Sequence, residues 1–92
     1  MRWRLNPLCQ LHWRCWDDEY ILFNASSGQT HFLSVLGALT LQLVADRALD
    51  REQLLTAFSD RLDDFTVDAE TQEYVANMLA DLDNLGLIEP VP

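Results

Sequence analysis

The sequence predicts an α+β fold, a three-stranded antiparallel sheet followed by three helices, and three observations lead there. Residues 10–16, QLHWRCW, alternate in polarity, and residues 20–24, YILFN, are aromatic and β-branched. The turn ASSGQ then brings the chain back into THFL. After Ser34 the apolar period changes from two to about 3.6 and stays there through three separately capped segments. With 92 residues there is room for one core. The reading is a tail over residues 1–9 and a single domain over 10–90.

Each element has its own reason. In the first strand Leu11, Trp13 and Cys15 share one face, and Gln10, His12, Arg14 and Trp16 the other. The acidic turn Asp17-Asp18-Glu19 ends it. The second strand, 20–24, leads to a turn with Gly28 at the positive-φ position, and Thr30 to Leu33 form the third strand. Ser34 caps a first helix over about 35–45, carrying Leu36, Leu39, Leu43 and Val44, with Gly37 marking close backbone packing. Asp50 and Gln53 make a capping box for the second helix, where Leu49 can staple against Leu54, and Leu54, Leu55, Phe58 and Leu62 form the buried face. Asp68 caps the third helix, which runs to Asn84 and closes at Gly86 in a left-handed cap. The tail LIEPVP stops on prolines. The order β-β-β-α-α-α is a winged-helix-like layout.

Charge narrows the function. All six basic residues are Arg, against fifteen Asp and Glu, for a net of −9. Arg2, Arg4 and Arg14 stand in residues 1–16 without an acid, and only Arg47, Arg51 and Arg61 follow. Such a chain repels a phosphate backbone, and a recognition helix offering Glu70, Glu73, Asn77 and Asp81 has the wrong sign for DNA. The charge serves solubility and favours cationic partners. No apolar run is long enough for a membrane span or a signal peptide, so a soluble, cytoplasmic protein with no membrane partner is expected. Cys9, His12 and Cys15 have a spacing that invites a metal, but a strand puts His12 on the face opposite the two thiols; no metal and no cofactor are expected. There is no phosphate loop and no nucleophile motif, and most carboxylates fall at caps or exposed faces, so no catalytic residues are assigned and no enzymatic activity is expected.

Two elements point to binding. On the third helix Tyr74, Val75, Met78, Leu79, Leu82 and Leu85 fill an arc of about 140°, wider than the ~100° stripe of a single core contact. They either complete a small core or divide between a core and a groove edged by Glu70, Glu73 and Asp81. The strand Thr30 to Leu33 lies last in the meander, with no Pro, Lys or charged residue from Gln29 to Val35 to protect its edge. It is either covered by the N-terminal tail or used for pairing.

Over residues 11–90 the chain resembles the PqqD family, small domains also called recognition elements for ribosomally made, post-translationally modified peptides. The resemblance rests on Trp-x-x-Trp with YILFN, on SGQTHFLSVLGALTLQLV, and on YVANMLADLDNLGLIE with its Leu-x-x-Leu-Gly ending. LCQLHWRCW and SGQTHFL look most like the members that accompany a protein resembling HPr kinase. The resemblance implies a non-catalytic peptide chaperone of natural-product biosynthesis. The leader segment of a precursor peptide would add as a strand to Thr30, His31, Phe32 and Leu33, lie against Tyr74, Val75, Met78 and Leu82, and be presented to a modifying enzyme. Use of the same edge for another folded protein or for a homodimer is the alternative, and a winged-helix regulator of DNA is a more distant one.

Overall fold

The computed structural model describes residues 1–17 and 19–91; Asp18 of the expected acidic turn and Pro92 of the expected proline exit lie outside them. The predicted α+β order is present. Its three-stranded meander consists of β2 (Leu11–Trp16), β3 (Glu19–Asn24) and β4 (Gln29–Leu33), and its helices are α1 (Val35–Asp46), α2 (Arg51–Arg61) and α3 (Ala69–Asn84). Three further strands build a second sheet: β1 (Arg2–Leu5), β5 (Leu49–Asp50) and β6 (Ile88–Val91), in the order β5-β1-β6.

The second sheet corrects two expectations. Within the tail assigned to residues 1–9, Arg2–Leu5 form a strand, and within LIEPVP, read as a tail stopping on prolines, Ile88–Val91 form another. RWRL alternates, with Trp3 and Leu5 half-buried and Arg2 and Arg4 outward. It pairs with β6 from Arg2↔Val91 to Leu5↔Ile88. Arg4 sits opposite Glu89 and its Nε donates to Glu89 Oε1 at 2.6 Å. Pro90 is tolerated because β6 lies at an edge of this sheet, where a missing N–H costs little.

The helices start and stop where their caps dictate. Ser34 Oγ accepts from Gly37 N–H at 3.1 Å, and Asp50 and Gln53 form a reciprocal capping box at 2.7 and 2.9 Å. Asp68 Oδ1 accepts from Thr71 N–H at 2.8 Å. The end of α3 is a Schellman motif: Leu87 N–H bonds Leu82 C=O, Gly86 N–H bonds Asp83 C=O, and Gly86 has φ 78°. Leu82 and Leu87 are both buried, so the cap also turns the chain back into the core.

The core joins Leu41 and Val44 of α1, Leu54, Leu55 and Phe58 of α2, and Val75, Leu79 and Leu82 of α3 to Leu49, Leu87 and Ile88. Phe65 stacks edge-on against Phe58 at 5.5 Å between centroids. Leu62, expected on the buried face of α2, is its half-buried C-cap. Of the meander, Leu22 is the fully buried apolar side chain, with Leu11 and Leu33 packed beside it.

Leu22→Ala removes the meander's main anchor and should lower stability by about 2–5 kcal/mol in urea unfolding, whereas Ile21→Ala on the opposite face should cost much less. The hydrogen bond from Thr71 N–H holds the Asp68 carboxyl below its ordinary range. This cap's contribution is therefore full above the ordinary carboxylate value and is lost as pH falls through the lowered one. Asp68→Asn should keep the cap and flatten that acid-side slope in thermal melts across pH.

Candidate functional site

β4 is an edge strand, as is β2, because the meander is ordered β2-β3-β4. The registers set its two faces. Trp13, Leu22 and His31 form one row on the inner face, and Cys15, Tyr20 and Leu33 the next; Arg14, Ile21 and Phe32 form a row on the outer face. His31 and Leu33 thus turn toward the helices and are half-buried, while Thr30 and Phe32 turn outward, Phe32 with 74% of its surface exposed. The Nε2 of His31 is buried and has no hydrogen-bond partner.

From the end of β4 a short chain of contacts leads to α3. Ser34 starts α1 immediately after Leu33. A Cβ added at Gly37 would make ordinary contacts with Ser34 Oγ at 3.4 Å and with Leu33 Cβ and Cδ2 at 3.7 and 3.8 Å, which places the strand end directly against the first helical turn. One turn on, Thr40 Oγ1 donates to Leu36 C=O at 2.7 Å and lies 4.0 Å from Met78 Sδ. Leu36 and Tyr74 then line a common hollow of about 350 Å³ with Phe65, Thr71 and the carboxylates Asp64 and Glu70. The strand end and the Tyr74–Met78 flank of α3 therefore border the same side of α1.

The eight residues expected at the site divide. Thr30, His31, Phe32 and Leu33 lie together on the edge strand, and Tyr74, 49% exposed, and half-buried Met78 lie on the neighbouring flank of α3. Val75 and Leu82 belong to the core and present no surface. The 140° arc is thus shared: Val75, Leu79 and Leu82 face inward, while Met78, Tyr74 and Leu85 border solvent. Leu85, 46% exposed, continues the flank toward the helix end.

A polar knot absent from the sequence-level reading holds that end. Asn24 Nδ2 donates to Cys9 Sγ at 3.4 Å, and Cys9 Sγ donates to Gly86 C=O at 3.4 Å. Asn6 Nδ2 reaches the same carbonyl at 3.0 Å. Asn24 Oδ1 accepts from Gln10 N–H at 3.2 Å and Ser26 N–H at 3.1 Å. The knot ties the β3–β4 turn and the segment before β2 to the cap of α3. Burial pushes the Cys9 thiol up, against the hydrogen bond from Asn24. The sequence signal was the position of Asn24, two residues from Leu22 and so on the same face of the strand. Among the described residues no three His, Cys, Asp or Glu converge to hold a metal ion, and no helix is long and apolar enough to cross a membrane.

No protein-family model matches the chain, and no curated protein matches it. Among solved structures it is similar to TbiB1, determined in complex with the TbiA(beta) leader peptide, with a TM-score of 0.69 over 97% of this chain and 98% of that one. Identity is 20%, so the likeness is one of fold.

In folded protein, alkylation should label exposed Cys15 readily and Cys9 slowly, with both labelled equally in urea. Equal rates without denaturant would mean that the knot is open in solution.

Proposed function

We propose that the protein is a non-catalytic recognition element that captures the leader segment of a ribosomal precursor peptide. The peptide adds as a strand to the edge of β4 while its inward side chains rest on the Tyr74–Met78 flank of α3. The observation that carries this is the pairing of an uncharged, proline-free edge strand with an apolar helix flank, joined through Leu33, Gly37 and the Thr40–Met78 contact. A fold shared with a protein solved with a leader peptide supports it. Val75 and Leu82 lie beneath the groove and position Tyr74 and Met78 rather than touching the peptide.

Backbone pairing supplies sequence-independent affinity, and the side-chain flank supplies selection. Asp64 and Glu70 at the hollow, with Asp81 further along α3, favour basic residues beside the peptide's apolar anchors. Holding the leader in one register presents its remaining segment to a modifying enzyme, and this delivery is the proposed role. The same acidic helix disfavours DNA binding. A second reading, in which β4 pairs with another folded protein or a second copy, uses the same edge without a peptide.

The test is a pull-down from host extract on immobilised protein, with mass spectrometry of the retained species, including small peptides. Wild type should retain a short peptide; Tyr74→Ala and Met78→Glu, checked for fold by circular dichroism, should weaken its binding about tenfold or more. Retention of a folded protein without a peptide would favour the second reading. Along an antiparallel edge, outward-facing N–H groups alternate with those bonded to the neighbouring strand. Of His31→Pro and Phe32→Pro, one should therefore abolish binding in a folded domain and the other should disrupt the β3–β4 ladder; full binding by both would exclude strand addition.

A further inference from the structure

The side chain of Phe32 has no task in the groove. It lies on the face of β4 opposite His31 and Leu33, at the end of the row Arg14–Ile21–Phe32, and is 74% exposed at the free edge of the sheet. On the outer face it has Ile21 directly across on β3, Phe23 and Glu19 diagonal to it on that strand, and Thr30 along β4, so that the outward side chains of the edge strand itself, Thr30 and Phe32, are both uncharged. Within the plane of the sheet Phe32 has a strand neighbour on one side, β3, and none on the other. That is the side where an added strand would lie, roughly 4.8 Å away.

Resting on the strand-addition reading above, we infer that Phe32 is a specificity residue that reads the outward face of the bound peptide, selecting an aromatic or β-branched residue there. A strand added to β4 extends each row of the sheet by one residue. The residue opposite Phe32 places its Cβ about 5 Å from that of Phe32, the separation at which aromatic and β-branched cross-strand pairs are favourable. The two faces of the peptide then meet different chemistry. Inward residues meet an apolar flank bordered by Asp64 and Glu70, which accepts basic neighbours. Outward residues meet Thr30 and Phe32, the uncharged outward side chains of the edge strand, while the outer-face carboxylate Glu19 lies on β3, one strand further in. Since side chains alternate along a strand, the outward residue stands at an odd spacing from the groove anchors. Trp16, 73% exposed on the same face, lies three strand spacings from the peptide, about 14 Å, and is out of reach.

The experiment selects a display library of fully randomised peptides on immobilised wild type, Phe32→Ser and Trp16→Ser. Wild type and Trp16→Ser should enrich peptides with apolar anchors plus an aromatic or β-branched residue at one odd spacing from them. Phe32→Ser should keep the anchors and lose that residue. A synthetic peptide of the wild-type consensus should bind Phe32→Ser about 3- to 10-fold more weakly, and replacing its outward residue by Ser should make the two proteins equal. Anchors without any preference at the odd spacing would overturn this inference and leave peptide capture standing. No enrichment on wild type would overturn both, and loss of the preference in Trp16→Ser would assign the selection to the face as a whole and not to Phe32.

Discussion

The burial of Leu22 is the constraint on which the rest of the molecule depends. It sits in the central strand of the meander and is the apolar side chain that sheet commits fully to the core. Because strand side chains alternate, placing Leu22 inward decides the direction of every other residue in three strands: Trp13 and His31 share its row, and Phe32 and Arg14 must face out. A slip of one residue in the β3–β4 hairpin would put Phe32 against α1 and His31 into solvent, and one in the β2–β3 hairpin would reverse the faces of β2. The knot at Asn24, on the same face two residues along, opposes such a slip by using its side-chain oxygen on Gln10 and Ser26 and its nitrogen on Cys9.

A meander held by so narrow an anchor leaves most of its surface uncovered. Every residue of β2 after Leu11 is exposed, on both faces of the sheet. This sheet therefore differs from the strands of a sandwich, which bury one side along their whole length. It is held by pairing and by the tie to α1 at Leu33 and Gly37, and β4 has a strand neighbour on one side only. On the proposed reading, an edge fixed in this way beside a helix lowers the cost of strand addition, since mainly the partner's own freedom is lost on binding.

Local chemistry was legible in the sequence; distant pairing was not. Ser34, the Asp50–Gln53 box, Asp68 and Gly86 each declare a helix boundary within four residues, and the structure places all of them as caps. The meander was legible because its turns are short. β1 and β6 were missed although RWRL alternates: each has four residues, Asn6-Pro7 reads as a break, and the partner of Arg4 lies at Glu89, at the other end of the sequence. Helical position alone also could not divide the arc from Tyr74 to Leu85. Around the helix axis Val75 and Leu82 lie only about 60° and 40° from Met78, and which of them are buried depends on the elements packed against α3. The Cys9–Gly86 contact was hidden for the same reason, being a bond between two loops far apart in the chain.

The pairing of β1 with both β5 and β6 also has a consequence in time. Residues 2–5 leave a ribosome well before their partners at 49–50 and 88–91. The second sheet therefore cannot close until residue 91 has cleared the exit tunnel, and contacts of such long range are the slow ones in folding. Until then Asn6 has no Gly86 carbonyl to hold, and the end of α3 stays untied. The β2–β4 hairpins, made wholly of near neighbours, can form earlier. A nascent chain thus exposes its β4 edge before the helix beside it is in place, an interval in which the edge is open to indiscriminate pairing with any strand.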